Sequence, residues 1–419
     1  MRIALITDAF FPLKGGISNH MNSLCKSFRS KNHKLFVFNP YYKNSHIFNN
    51  LIVSLKNLKP SKKFFSTFIL SIAELIRDKR ATIGEKSKIL LHLMSNPRNI
   101  IIIINNIVNI LPYLKKFKID IIIGGFPSNT LPLVFLISKI IKKKGLIFTY
   151  GNDFLIKDSF LDKAFHFKSV YFKNVGGIIV LGKTTKTIFR KIHNVNEDKL
   201  YILPLAIFPE DYIVKQSKEE LRKKYGISNH TFVILSVGWH VPRKKFDLVM
   251  KAIKNIKEGQ PDLDIKYLLV GEGISTDFLI DLSKKLELTD TVRFFGECEN
   301  HVRNELYKLS DLFVMTSITT NDSIEGFGLV FLEANYFKIP VIGSFSGGIR
   351  DAIVNKKTGI LVKPDNLEDL IAKINLLYEN KEKRIEMGES GYNRIINEFL
   401  WEKRYKDFIQ ILNNVMKFK

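Results

Sequence analysis

Two cysteines in 419 residues, Cys25 and Cys298, are too few for a disulfide framework or a Cys-based zinc site and fit a reducing compartment. Long apolar runs are also missing. The most apolar stretches, 100–114 and 131–141, fall short of the roughly 18 uninterrupted residues of a spanning helix, and Asn105, Asn106, Asn109 and Pro112 break the first. Both read as buried helices. The run Met1–Asp8 is too short for a signal-peptide core, has no cleavage site, and reads as a strand. Acid is scarce: 65 Lys and Arg against 41 Asp and Glu leave a formal charge of +24. That balance favours anionic partners such as nucleotides, nucleic acid, acidic lipid or phosphorylated substrates, and fits a merely basic surface equally well. Nucleic acid is not the expected partner, because the chain carries no helix-turn-helix, zinc or RNA-recognition pattern. No internal repeat, Gly/Ser linker or low-complexity tract interrupts it.

What is present is the composition of a folded protein, 45% hydrophobic and 25% charged, with length enough for two or three domains. In the second half, β-rich runs at Thr231–Gly238, Lys266–Gly271, Val292–Gly296, Leu312–Ser317 and Pro340–Ser344 alternate with amphipathic segments. The first half repeats the rhythm at Arg2–Thr7, Lys34–Phe38, Asp120–Gly124, Gly145–Tyr150 and Gly177–Leu181. Such alternation belongs to parallel sheets covered on both faces. The expected fold is therefore α/β, with two Rossmann-like doubly wound domains at 1–205 and 217–399 and a hinge around 205–216. Ser217 and Glu220 form a capping box for a helix ending near Gly226. The tail from Leu367 to Lys419 reads as helical throughout.

A dinucleotide fingerprint needs three glycines after a strand, and Gly271-Glu272-Gly273 supplies only two, so a tight turn is the plainer reading. Gly15 and Gly16, between the first strand and the helical pattern of Ile17–Phe28, would let a ligand approach the backbone, with helix N–H groups favouring an anion. A simple turn fits them equally. The most informative stretch is Asn321–Ala334. If a helix begins at its glycines, Glu325 and Glu333 lie about 12 Å apart along it, a span that suits a nucleotide-sugar.

These residues, with Phe11-Pro12 ahead of Gly15-Gly16, Tyr150-Gly151-Asn152-Asp153, Val241-Pro242-Arg243-Lys244 and Ser346-Gly347-Gly348, make the chain resemble glycosyltransferase family 4, retaining nucleotide-sugar enzymes of the GT-B fold. The stretch 325–348 looks most like bacterial mannosyltransferases acting on lipid acceptors. The resemblance implies that the two domains face each other across a cleft, acceptor on the first and donor on the second. It also implies that residues from about 400 onward pack back on the first domain. In this frame Lys244 neutralises the donor diphosphate, Glu325 orients the sugar with backbone help from Gly326, Phe327 and Gly328, and Glu333 binds ribose. Gly296, Glu297 and the residues to Glu299 line the base, Gly15 and Gly16 close over phosphates and acceptor, and Tyr150 and Asp153 complete the catalytic set. No metal or other cofactor is implied, and Asp262-Leu263-Asp264 reads as a solvated turn.

Several residues depart from the family pattern. Tyr150 stands where a histidine is usual, Trp239 where a phosphate-binding arginine is, and Lys245 and Lys338 where glycines are; Leu205-Ala206 replaces Asn-Gly. Arg243 or Lys245 would have to supply the missing cation. His20 and His240 are more plausibly structural than catalytic substitutes. The basic, aromatic stretch Lys56–Phe65 raises the expectation of a peripheral contact with anionic membrane, beside the plainer one of a solvated lysine loop. The expected protein is a cytoplasmic or membrane-peripheral hexosyltransferase acting on a glycan or lipid-linked acceptor in envelope or polysaccharide biosynthesis. The alternative is a non-catalytic relative serving as sugar-nucleotide sensor or partner subunit.

Overall fold

The computed structural model describes residues 1–7, 15–28, 31–39, 52–54, 97–151 and 167–417. They divide into two compact units, one of Met1–Pro204 with Arg404–Lys419 and the other of Leu205–Lys403.

Among the described residues the first unit holds seven strands: β1 Arg2–Ile6, β2 Lys34–Asn39, β3 Ile52–Ser54, β4 Ile121–Gly124, β5 Lys144–Phe148, β6 Gly177–Val180 and β7 Leu200–Ile202. They pair in parallel in the order β3-β2-β1-β4-β5-β6-β7. The second unit holds six: β8 Phe232–Val237, β9 Ile265–Val270, β10 Val292–Gly296, β11 Leu312–Met315, β12 Val341–Ser344 and β13 Gly359–Val362. Their order, again all parallel, is β10-β9-β8-β11-β12-β13. Burial on both faces explains why these strands are apolar runs rather than alternations; every residue of Phe232–Val237 is buried. In each sheet the order reverses once, between β1 and β4 and between β8 and β11. Doubly wound sheets leave a crevice outside the carboxyl ends of the strands at such a point.

All ten expected strands are present. The three not anticipated, β3, β7 and β13, are three or four residues long and lie at sheet edges, where little hydrophobic pattern is required. The stretch 100–114 is the helix expected of it, running Pro97–Lys116 with Pro112 inside, and the Asn106 and Asn109 that interrupt its apolar run are buried. Among the described residues no helix is long and apolar enough to cross a membrane.

Residues 205–216 go with the second unit. Ile207 and the start of the last helix exchange backbone bonds, Ile207 N to Phe399 O at 2.9 Å and Trp401 N to Ile207 O at 3.1 Å. The capping box forms, with Ser217 N donating to Glu220 Oε2 at 2.7 Å and Glu220 N to Ser217 Oγ at 3.1 Å. The tail is three helices, Leu367–Glu379, Lys381–Glu398 and Trp401–Lys417. From Arg404 the last one belongs to the first unit, where Tyr405 meets Phe28 edge-on at 5.1 Å and Phe408 lies 5.8 Å from Phe148.

Candidate active site

Where β8 ends, Gly238 opens a loop that closes in a single 3-10 turn, Pro242–Lys244, with proline at its first position because that position needs no backbone donor. Where β11 ends, residues 316–328 run in irregular backbone to Gly328, whose φ of 91° turns the chain into the helix Leu329–Tyr336. These two loops flank the reversal of strand order, and they meet. Lys244 Nζ lies 2.6 Å from Glu325 Oε2, and Arg243 Nη1 lies 3.1 Å from the same oxygen. Lys244 Nζ also lies 3.4 Å from Met315 Sδ, at the end of β11. Ile318 N donates to Arg243 O at 2.9 Å, and from the loop after β12 Gly348 N donates to Glu325 O at 2.8 Å. One hydroxyl pair, Thr319 and Ser346 at 2.8 Å, completes the junction.

The helix expected to carry both glutamates begins only at Leu329, so Glu325 is held by the turn before it, and the separation counted along a continuous helix does not apply. An irregular segment lets Glu325 reach back to the strand-end cations, which a helical rise would have prevented.

Burial pushes the Glu325 carboxyl up, but Lys244 and then Arg243 pull it further down, and the net result is below the ordinary carboxylate range. It is ionised at neutral pH. Two cations on one carboxylate leave a net charge of +1 among side chains only 12 to 15% exposed. Uncompensated buried charge is costly, so the arrangement favours an incoming anion. Lys245 does not contribute: its Nζ pairs with Asp365 at 2.8 Å. Lys245 and Lys338, where the resemblance leads one to expect glycine, both adopt left-handed backbone with φ of 56° and 60°. The conformation glycine would favour is thus kept although the glycine is gone, at a cost of about 1–2 kcal/mol per residue.

Glu333 is buried, with both oxygens taken by tyrosine hydroxyls: Tyr212 donates to Oε1 and Tyr307 to Oε2, each at 2.9 Å. Neither tyrosine was anticipated, since no spacing links residues 212, 307 and 333. Phe327 turns its ring into the core near Phe399, leaving only backbone beside Gly326 and Gly328 for a ligand. Gly296 ends β10 and accepts from Gly271 N at 2.8 Å; Glu297 is exposed. The Gly271–Gly273 loop lies against the β8 loop, with His240 N donating to Glu272 O at 3.0 Å and Ser275 N to His240 O at 2.9 Å. His240 is fully buried, its Nδ1 3.0 Å from Thr276 Oγ1. Trp239 is 71% exposed, an apolar surface where a phosphate-binding arginine was expected. Among the described residues no three His, Cys, Asp or Glu side chains gather to hold a metal.

In the first unit Gly15 caps the helix Gly16–Ser27, and among the described residues nothing lies within 4 Å of a Cβ built on Gly15 or Gly16. Asp153, the Lys56–Phe65 stretch and Phe11-Pro12 lie outside the described residues. The Tyr150 hydroxyl is 2.8 Å from His20 Nδ1, and His20 meets Phe148 edge-on at 5.5 Å. Burial lowers the His20 pKa to about 3, so the imidazole is neutral at physiological pH. Because its folded value lies below the ordinary 6.5, the stability of this arrangement is complete above pH 6.5 and declines as the pH falls toward 3. Urea unfolding at pH 7 and pH 5 should show the wild type losing about 2 kcal/mol more than His20→Gln. Equal losses would mean that His20 is charged in the folded chain.

Over residues 217–394 the chain matches the family model described as Glycosyl transferases group 1. These residues belong to the group 1 glycosyl transferase family. The match covers the second unit's sheet, and with it Arg243, Lys244, Glu325 and Glu333. Among curated proteins the chain is 30% identical over 203 residues to N-acetyl-alpha-D-glucosaminyl L-malate synthase of Bacillus anthracis, covering 48% of this chain and 51% of that one. It is 30% identical over 189 residues to a GDP-mannose-dependent monoacylated alpha-(1-6)-phosphatidylinositol monomannoside mannosyltransferase of Corynebacterium glutamicum, covering 45% and 48%. The chain thus spans about half the length of these relatives. Among solved structures, a glycosyltransferase from Rickettsia africae superposes with a TM-score of 0.75 at 18% identity, covering 100% of this chain and 99% of that one. HepE of Anabaena, solved in complex with UDP and glucose, gives 0.70 at 16% identity over 98% and 99%. At such identities the likeness is one of fold, the GT-B glycosyltransferase fold.

Proposed function

We propose that the protein is a retaining glycosyltransferase of the family 4 kind. It would move a hexose from a nucleoside diphosphate-sugar to a glycan or lipid-linked acceptor in envelope or polysaccharide biosynthesis. The observation that carries this reading is the shared oxygen: Arg243 and Lys244 converge on Glu325 at the strand-order reversal with one positive charge in excess. A diphosphate supplies the missing negative charge, and in leaving it develops more, so cations fixed beforehand stabilise the transition state above the ground state. Glu325, released from the cations, accepts hydroxyls of the sugar, and Glu333 those of the ribose. Gly296 and Glu297 would line the base. The first unit would take the acceptor, with Gly15 and Gly16 closing over phosphates and acceptor and Tyr150 and Asp153 completing the catalytic set. A cytoplasmic site of action, peripheral to anionic membrane, goes with this reading, and no metal is needed.

The names of the relatives support the donor class: one is GDP-mannose-dependent, and HepE was solved with UDP. UDP or GDP at a hundred times its Kd should stabilise the chain by about 2.7 kcal/mol in a thermal melt. A panel of nucleotide-sugars should then show release of one nucleoside diphosphate, unaffected by EDTA. No stabilisation by any nucleoside diphosphate would refute the reading. Trp239, with no cation to offer, favours the sensor alternative, whose outcome is binding without turnover across the panel.

A further inference from the structure

Glu333 sits on the helix Leu329–Tyr336 with its side chain only 4% exposed. Three side chains from two elements converge on it: Tyr212 from the 3-10 turn Pro209–Tyr212, and Tyr307 and Arg303 from the helix Asn300–Leu309. Each oxygen accepts one phenol hydroxyl at 2.9 Å, and Arg303 Nη2 stands 3.7 Å from Oε1, a charge partner rather than a hydrogen-bond donor. A carboxylate accepts about four hydrogen bonds, so one acceptor position remains on each oxygen, the demand of a vicinal diol rather than of a single hydroxyl. Burial and the neighbouring carboxylate push both tyrosines well above the ordinary phenol range, so both remain donors.

The two tyrosines are not equivalent. Tyr307 is fully buried in a ten-residue helix, its ring stacked on Phe337 at 5.7 Å and 8°. Tyr212 is 8% exposed on a four-residue turn, and Ile213 beside it is 67% exposed. Because Glu333 is so enclosed, an incoming hydroxyl reaches it only where a present partner gives way, and Tyr212 is the one on the thinner support.

We propose that Tyr307 is a positioning residue that orients Glu333 toward the ribose diol of the donor nucleotide, and that the Tyr212 hydroxyl is the stand-in which the ribose displaces. The proposal rests on the nucleotide-sugar reading above. Its test is calorimetric titration of wild type, Tyr307→Phe and Tyr212→Phe with GDP or UDP and with the matching 2′,3′-dideoxy nucleotide. Both substitutions keep the ring and its packing, and Tyr212→Phe alone decides the matter if Tyr307→Phe does not fold. The expected result is opposite signs: Tyr307→Phe lowers the preference for ribose over dideoxyribose about tenfold, and Tyr212→Phe raises it severalfold. A role confined to holding the fold together would shift the melt and leave that preference unmoved. Nucleotide binding with an unchanged preference in both variants, or a preference lowered by Tyr212→Phe, overturns the inference alone. Absence of nucleotide binding in the wild type overturns the underlying reading with it.

Discussion

Replacing Lys244 with alanine is expected to lower turnover of the nucleotide-sugar by about 10²–10³-fold, the loss typical when a fixed group is taken from where charge develops in the transition state. Lys244 makes the shorter approach to Glu325, 2.6 Å against 3.1 Å for Arg243, and lies at the end of β11 beside Met315. Its removal leaves Arg243 and Glu325 as a neutral buried pair, so folding should survive and the loss should appear in kcat rather than in the melt. Arg243→Ala should cost less, because it leaves in place Lys244, the cation with the shorter approach. Lys245→Ala should leave turnover unchanged, since that side chain is spent on Asp365. Steady-state kinetics on the three folded variants check the order. Wild-type turnover in Lys244→Ala would remove the leaving-group role, and a loss confined to Lys245→Ala would move it.

Much of this site was legible because its chemistry is local in sequence. Arg243 and Lys244 are neighbours on one turn after a strand, and Glu325 precedes a glycine-marked helix start; the helix-start pattern singled out Glu325, and the family resemblance supplied the two cations. Which of Arg243 and Lys245 would reach inward was not legible. The left-handed backbone at Lys245 aims the two lysines of the turn to different sides, and φ cannot be read from a lysine. The partners of Glu333 were hidden for another reason: Tyr212 and Tyr307 are separated from it by 121 and 26 residues, and only the wound topology brings them together. Likewise, the edge strands β3, β7 and β13 escaped notice because an edge of three or four residues needs no pattern, whereas the central strands must be apolar throughout.

Gly348→Ala is expected to damage fold and site together. The backbone at Gly348 is ordinary, φ of −76°, so the constraint is space: a Cβ there would fall 1.9 Å from Gly326 O, 2.5 Å from Gly326 C and 3.0 Å from Phe327 N. These are main-chain atoms and cannot swing aside as a flexible side chain would. The segment 325–327 must move instead, and Gly348 N, which holds Glu325 O at 2.8 Å, moves with it. Overpacking of this kind costs about 1–3 kcal/mol, which urea unfolding would register. Displacing Glu325 also separates it from Arg243 and Lys244, so affinity for UDP or GDP should fall at least about tenfold, equivalent to about 1.4 kcal/mol. The control is Gly259→Ala, at the end of the helix Phe246–Gly259, where a Cβ meets nothing within 4 Å. That change should leave nucleotide affinity intact and raise stability by about 0.4–1 kcal/mol, by restricting the unfolded chain. If Gly348→Ala unfolds at the wild-type urea concentration and binds nucleotide as tightly as wild type, the close approach of the two loops does not hold Glu325 in place. The ion pair with the strand-end cations would then have to position that carboxylate alone.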